Sequence, residues 1–301
     1  MTWRRLHIIT KLSLRRILRT LKIRATPWGI FHKLFRRLRT KLLSKLDTDD
    51  KYYRQLIYNN MDNLHKCIQK GDLVLVEGRT ELSKIIKHIS SSPWSHVAMY
   101  VGDELIQKDS PYRERYKKEF GEKAGNLIVE ALTGKGVVVS SLDKYQDYNI
   151  RISRPYKIRK NDLQVVLQHV INSIGLKYDQ QNIVDIALML MPRWLVPRKR
   201  RNVQAWLGSK NVYQVICSGM IARAFQLVGY PVSPALSGPD NGSFHKKTNP
   251  YGTALIMRHY SQILPRDFDL SPNFEIIKFN IISAGTFDYR ALPWGIEEGP
   301  A

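Results

Sequence analysis

Between Gly71 and Pro155 short apolar runs alternate with turn residues, and this alternation restricts the chain to folds built on a sheet. Leu73-Val74-Leu75-Val76 follows Gly71-Asp72, and WSHVAMYVG (94–102) follows Ser90-Ser91-Ser92-Pro93. NLIVEAL (126–132), GKGVVVS (134–140) and NIRISRP (149–155) come next. Runs of this length, rich in β-branched residues and punctuated by Gly, Ser and Pro, predict strands. One helix interrupts them, because Leu82, Ile85, Ile86 and Ile89 share a face over residues 79–90. The predicted order is strand, helix, then four strands.

Two polar residues interrupt this apolar pattern. Glu130 lies among Leu127, Ile128, Val129 and Ala131, and a carboxylate in such a strand must be paired, hydrogen-bonded or protonated. His96 opens the second run and reads either as a satisfied core histidine or as a base. Residues 107–125 are densely charged and read as an excursion from the sheet. Residues 47–70 form a polar, helix-compatible lead-in, with Cys67 as structural filler near its end.

A third residue belongs with these two. In NVYQVICSGMIARAFQLVGYP (211–231) Ala222, Phe225 and Val228 fall at helical spacing and Gly229-Tyr230-Pro231 ends the run. Cys217 therefore sits at or near a helix N-terminus, where free N–H groups and the macrodipole favour the thiolate. The alternative is a small buried hydrophobe. Elsewhere, residues 162–174 read as a core helix and residues 233–250 as a surface loop. Thr253–Leu264 reads as a helix, Phe274–Ile282 as a strand able to close the sheet, and 293–301 as a loose tail.

With 301 residues and 43% hydrophobic content the chain can bury one substantial core. Two cysteines make neither a disulfide framework nor a zinc set. The net charge of +22 is concentrated at the start: residues 1–46 hold 14 of the 48 Lys and Arg and no acid, leaving 34 basic against 26 acidic groups. At helical pitch Trp3, Leu6, Leu14, Ile17, Leu18 and Leu21 oppose Arg4, Lys11, Arg15, Arg19 and Lys22. After Thr26-Pro27-Trp28-Gly29 a second helix sets Phe31, Leu34, Phe35, Leu38 and Leu42 against Lys33, Arg36 and Arg37. Two basic amphipathic helices suit an anionic membrane surface; docking on the domain or binding nucleic acid are the alternatives. Recurring arginines and the lack of an uninterrupted apolar stretch argue against a cleavable signal peptide. Met191, Trp194 and the basic run 198–201 read equally as a headgroup contact or a solvated loop.

GDLVLVEG, SPWSHVAMYVG, IVEAL, GLKYD (175–179) and VICSGMIARAF, in that order, resemble the circularly permuted, NlpC-like papain-fold cysteine hydrolases, the YiiX/YebB-like proteins. In the permuted order the histidine strand precedes the cysteine helix. The resemblance covers about residues 70–230. It implies an α+β, papain-like domain over 47–292, with an antiparallel sheet packed on the Cys-bearing helix, behind the basic arm 1–46. It also implies a triad of Cys217 as nucleophile, His96 as general base and Glu130 as orienter of the imidazole. Tyr178 reads either as lining the cleft or as a packed tyrosine, and Trp94 as a substrate contact. Members commonly carry an acid two residues after the cysteine, where this chain has Gly219.

That triad would perform acyl transfer from an amide or ester through a thioester, with no cofactor or metal required. The chain has no HExxH, paired CxxC, Walker or GxGxxG motif. The expected function is a thiol hydrolase or acyltransferase, cytoplasmic and peripherally membrane-bound, acting on a small-molecule, lipid, lipoprotein-like or cell-wall peptide substrate. The rivals are a nucleic-acid-binding protein using the basic arm and a catalytically inactive, lipid-binding papain-like scaffold.

Overall fold

The structure, a computed structural model, describes residues 48–51, 53–56, 58–178, 214–215, 217–236, 255–280 and 290. The chain divides into two compact units, residues 1–51 with 80–82 and residues 52–79 with 83–301. In the first, Asp49 forms an isolated antiparallel bridge with Thr80. The amphipathic helices expected in 1–46, the basic run at 198–201 and the tail after Pro293 lie outside the described residues.

In chain order the elements are α1 (Met61–Cys67), β1 (Leu73–Val76), α2 (Glu81–Ser90), β2 (His96–Gly102), α3 (Arg113–Phe120), β3 (Leu127–Leu132), β4 (Gly136–Ser141), β5 (Ile150–Pro155) and α4 (Lys160–Asn172). They continue with β6 (Lys177–Tyr178), β7 (Gln214–Val215), α5 (Cys217–Leu227), β8 (Pro234–Leu236), β9 (Leu255–Met257), α6 (Pro265–Asp269) and β10 (Phe274–Ile277). Six strands form one antiparallel sheet in the order β10-β5-β1-β2-β3-β4. The fold is α+β, and the expected succession of strand, helix and four strands is present.

Side chains alternate across the sheet and feed two cores. On one face Leu73, Leu75, Val97, Met99 and Val129 meet Val166, Leu167 and Val170 of α4 and Met220, Ile221, Ala224 and Phe225 of α5. On the other, Val74, Val76, Ala98, Tyr100 and Ile128 meet Leu64 of α1 together with Leu142 and Tyr145. Burying the helix that begins at Cys217 against the first face fixes that residue at the rim of the sheet. The start of β1 is tied to β5 by a bidentate pair: Arg154 Nε donates to Asp72 Oδ1 at 2.8 Å and Nη2 to Oδ2 at 2.7 Å. This two-bond geometry satisfies a carboxylate that is only 1% exposed.

Gly136 has a structural reason to be glycine. Its φ is +82°, and a Cβ there would stand 2.2 Å from the carbonyl oxygen of Leu176. That same oxygen accepts from the Val137 N–H at 2.8 Å, so the chain before β6 is stitched to the start of β4 through a contact that only glycine allows.

Two expectations are corrected. Thr253–Leu264 is no helix where it is described: Leu255–Met257 is a strand paired with Pro234–Leu236, and Tyr260–Gln262 is a single 3-10 turn. A short apolar run has no periodicity of its own, and here a partner strand supplies backbone bonds. That partner, β8, also replaces the start of the surface loop expected from 233. The charged segment 107–125 does leave the sheet, and within it Arg113–Phe120 is helical. Tyr112, Tyr116 and Phe120 recur every fourth residue and stack in sequence, with centroids 5.8 and 5.9 Å apart, and Tyr116 is buried. This aromatic stripe gives a solvent-facing helix its inner edge.

Candidate active site

Strand register brings the first two residues together. β2 and β3 pair with Met99 opposite Val129 and Tyr100 opposite Ile128. Continued toward the start of β2, that register sets Ala98 opposite Glu130 and leaves His96 diagonal to it on the same face. The His96 Nε2 lies 2.9 Å from Glu130 Oε2. Because that carboxylate oxygen can only accept from it, Nε2 carries the hydrogen, and Nδ1 is the ring nitrogen left for Cys217, whose sulfur acts on the imidazole.

Cys217 is the first residue of α5 and is 6% exposed. Besides His96, the backbone N–H groups of Val97 and Ser218 act on its sulfur. The first is offered by the strand that carries His96, the second by the unsatisfied first turn of the helix. Burial, the largest single influence, pushes the Cys217 thiol up; the His96 cation and the two N–H donors outweigh it and hold the thiol below its ordinary value. For His96 burial again acts first and disfavours the cation, but the Cys217 thiolate and Glu130 overcome it and raise the imidazolium to about 9. Both shifts favour an imidazolium–thiolate pair over the neutral one.

Glu130 is fully buried and fully satisfied. Its Oε1 accepts from Ser140 Oγ and from Lys144 Nζ, each at 2.6 Å, and its Oε2 accepts from His96 and from the Tyr145 hydroxyl. Burial pushes this carboxyl up, yet His96 and Lys144 together hold it well below the usual carboxylate range. Tyr145, buried against that charge, is raised well above an ordinary phenol. The structure thus brings Cys217, His96 and Glu130 into one connected set and adds three residues that the sequence reading missed. Ser140 had a signal: β3 and β4 pair with Ile128 opposite Ser140 and Glu130 opposite Val138, so the polar end of GVVVS falls diagonal to Glu130. Lys144 and Tyr145 had none, because they arrive on a 3-10 turn, Leu142–Tyr145, whose course only the fold sets.

Trp94 is 7% exposed, donates its indole N–H to Asp269 Oδ2 at 2.9 Å and carries the Arg151 guanidinium 5.1 Å from its ring centre. It is a satisfied core residue with one surface on a groove of about 460 Å³, lined also by Ile150, Arg151, Ile276, Ile277 and Phe279. The groove follows the same sheet rim as His96, since Val76 pairs with both His96 and Ile150. Tyr178 is in β6, whose backbone runs parallel to β7 with Tyr178 opposite Val215, two residues before Cys217; its side chain lies outside the described residues. Cys67 is half-buried at the end of α1, its sulfur 3.6 Å from the Leu64 carbonyl, and burial raises its thiol. Among the described residues no group of three His, Cys, Asp or Glu is placed to hold a metal ion.

Residues 67–185 match a family model described as permuted papain-like amidase enzyme, YaeF/YiiX, C92 family. The match takes in His96 and Glu130 and ends before Cys217. No curated protein matches the chain. Among solved structures it is similar to the crystal structure of metalloprotein yiiX from Escherichia coli O157:H7, at 13% identity over 70% of this chain and 97% of that one, with a TM-score of 0.41. The histidine strand comes before the cysteine helix in the chain, as a permuted order requires. Over residues 67–185, then, the chain is similar to the YaeF/YiiX family of permuted papain-like amidases.

Proposed function

We propose that the protein cleaves an amide or ester by acyl transfer through Cys217, with His96 as acid–base and Glu130 as the residue that orients it. The observation that carries this reading is the buried sulfur at the start of α5, acted on by an imidazole whose far nitrogen is held by a buried carboxylate. The thiolate attacks the carbonyl carbon and the C–S bond forms as the π electrons move to oxygen. First-turn N–H groups of α5 donate to that oxyanion. Collapse expels the amine or alcohol, which takes the proton from His96, and leaves a thioester on Cys217. Water, or another acceptor in an acyltransferase, then gives its proton to His96 and releases the acyl group.

The substrate in this reading has an apolar acyl or side-chain portion. The groove beside His96 supports it, since neighbouring strands lie about 4.8 Å apart and Ile150 on β5 is roughly 10 Å from His96 on β2. Trp94 contributes a wall of that groove. Lipid- and lipoprotein-like amides and esters fit best, with a cell-wall peptide second. The basic arm 1–46 supports work at an anionic membrane surface and takes no part in the chemistry.

The test is to trap the intermediate. Short and long acyl p-nitrophenyl esters and matching amides are mixed with the protein, quenched in acid and read by mass spectrometry. The expected result is an acyl mass on the peptide holding Cys217, absent in Cys217→Ala. Turnover that survives Cys217→Ala would overturn the reading.

A further inference from the structure

Lys144 stands outside the Cys217–His96–Glu130 set yet binds its carboxylate. Its Nζ lies 2.6 Å from Glu130 Oε1, while His96 takes Oε2 at 2.9 Å. The lysine side chain is 35% exposed and reaches a carboxylate side chain that is 0% exposed. It comes from the turn after β4, and its neighbour Tyr145 closes the other oxygen. In the ion-paired state the charges alternate: ammonium, carboxylate, imidazolium, thiolate. They sum to zero, whereas without Lys144 the buried cluster would carry one uncompensated negative charge, which a low-dielectric site disfavours.

We propose that Lys144 is a positioning residue of this site: it fixes the Glu130 carboxylate in the orientation that holds His96, and its charge sets the pH range over which the Cys217–His96 ion pair exists. The inference rests on reading those two residues as the acting pair. The groups facing Glu130 are His96 from β2, Ser140 from β4 and Lys144 and Tyr145 from the turn, with Cys217 of α5 beyond the imidazole. Tyr148 lies edge-on to Tyr145, with centroids 5.2 Å apart. Asp143, on the same turn, is engaged elsewhere by His65 and Lys123.

Removing a cation from this set raises every proton affinity within it. The thiol becomes less acidic and the imidazolium keeps its proton to higher pH, so both titrations move upward together. At an effective dielectric constant near 20, discounted for the partial exposure of Lys144, the shift is about half to one pH unit. A lysine that merely filled space would change rates at all pH values without moving either midpoint.

The experiment uses the full chain with Lys144→Met, Lys144→Arg and His96→Ala. Two curves are measured: alkylation of Cys217 by iodoacetamide against pH, and the ring resonances of His96 against pH by NMR. Lys144→Met should move both midpoints up by that amount, and Lys144→Arg should leave them at the wild-type values. If Met does not fold, Lys144→Gln removes the charge while keeping a donor and is read in the same way. Midpoints unmoved in the neutral variants would overturn the role of Lys144. If His96→Ala leaves Cys217 alkylation unchanged, the Cys217–His96 reading itself fails instead.

Discussion

His96 lies between a thiolate and a carboxylate, and both pull its proton affinity in one direction. Its imidazolium is held up to about 9 against an ordinary 6.5. Taken alone, the raised value makes His96 contribute stability that is fully present below pH 6.5 and is lost as pH rises through about 9. Catalysis should fail over the same upper range, since the leaving group needs that proton. Glu130→Gln keeps the shape of the side chain but removes the charge that holds the imidazolium and its tautomer. Turnover should fall roughly 10²–10⁴-fold with the far-UV spectrum unchanged; a Gln variant as active as wild type would remove Glu130 from the mechanism. The three candidate residues were legible because each breaks a local pattern: a thiol opening a helix, a carboxylate inside an apolar strand, a histidine at a strand start. Lys144 and Tyr145 break no pattern. A lysine and a tyrosine on a polar turn look like surface until the turn folds back over β3.

Among the elements, strands were easiest to read where both faces are buried. β1, β2 and β3 are nearly continuous apolar runs closed by turn residues, and their bounds fall within two residues of those expected. The misread segment, residues 253–264, lacks that support, because its structure depends on β8 about twenty residues earlier. Arg258 further pins the chain between β9 and α6, bonding Asp267 at 3.0 Å and the Gln262 carbonyl at 2.8 Å. Long-range side-chain ties of this kind leave no trace in periodicity. The helix in the charged excursion was hidden for a different reason: net charge masked a three-residue aromatic stripe.

For the whole molecule, charge separates one region from the rest. Residues 47–301 carry a modest excess of basic groups, 34 against 26 acidic, whereas residues 1–46 carry 14 and no acid. No described helix is long and apolar enough to cross a membrane. In the arm Lys or Arg recurs every few residues, so the membrane role proposed for it is interfacial. Each basic group near an anionic surface contributes about 1 kcal/mol at most and is screened by salt. Trp3, Trp28, Phe31 and Phe35 add a part that salt does not remove. Sedimentation with phosphatidylserine vesicles should therefore weaken with salt without vanishing, and deleting 1–46 should abolish it while sparing activity on a soluble ester. Indifference to vesicles combined with steeply salt-dependent binding to duplex DNA would make the arm a nucleic-acid contact instead.

The account depends most on Cys217 being an ion-paired thiolate while Cys67 is a half-buried, unactivated thiol. The most direct measurement is the pH dependence of alkylation at each cysteine, followed by mass spectrometry in the wild-type chain and in His96→Ala. Cys217 should react with a midpoint below the roughly 8.5 of a free thiol and Cys67 above it, and His96→Ala should bring Cys217 up towards or beyond that value. Equal midpoints for the two cysteines, or a Cys217 curve indifferent to the loss of His96, would contradict it.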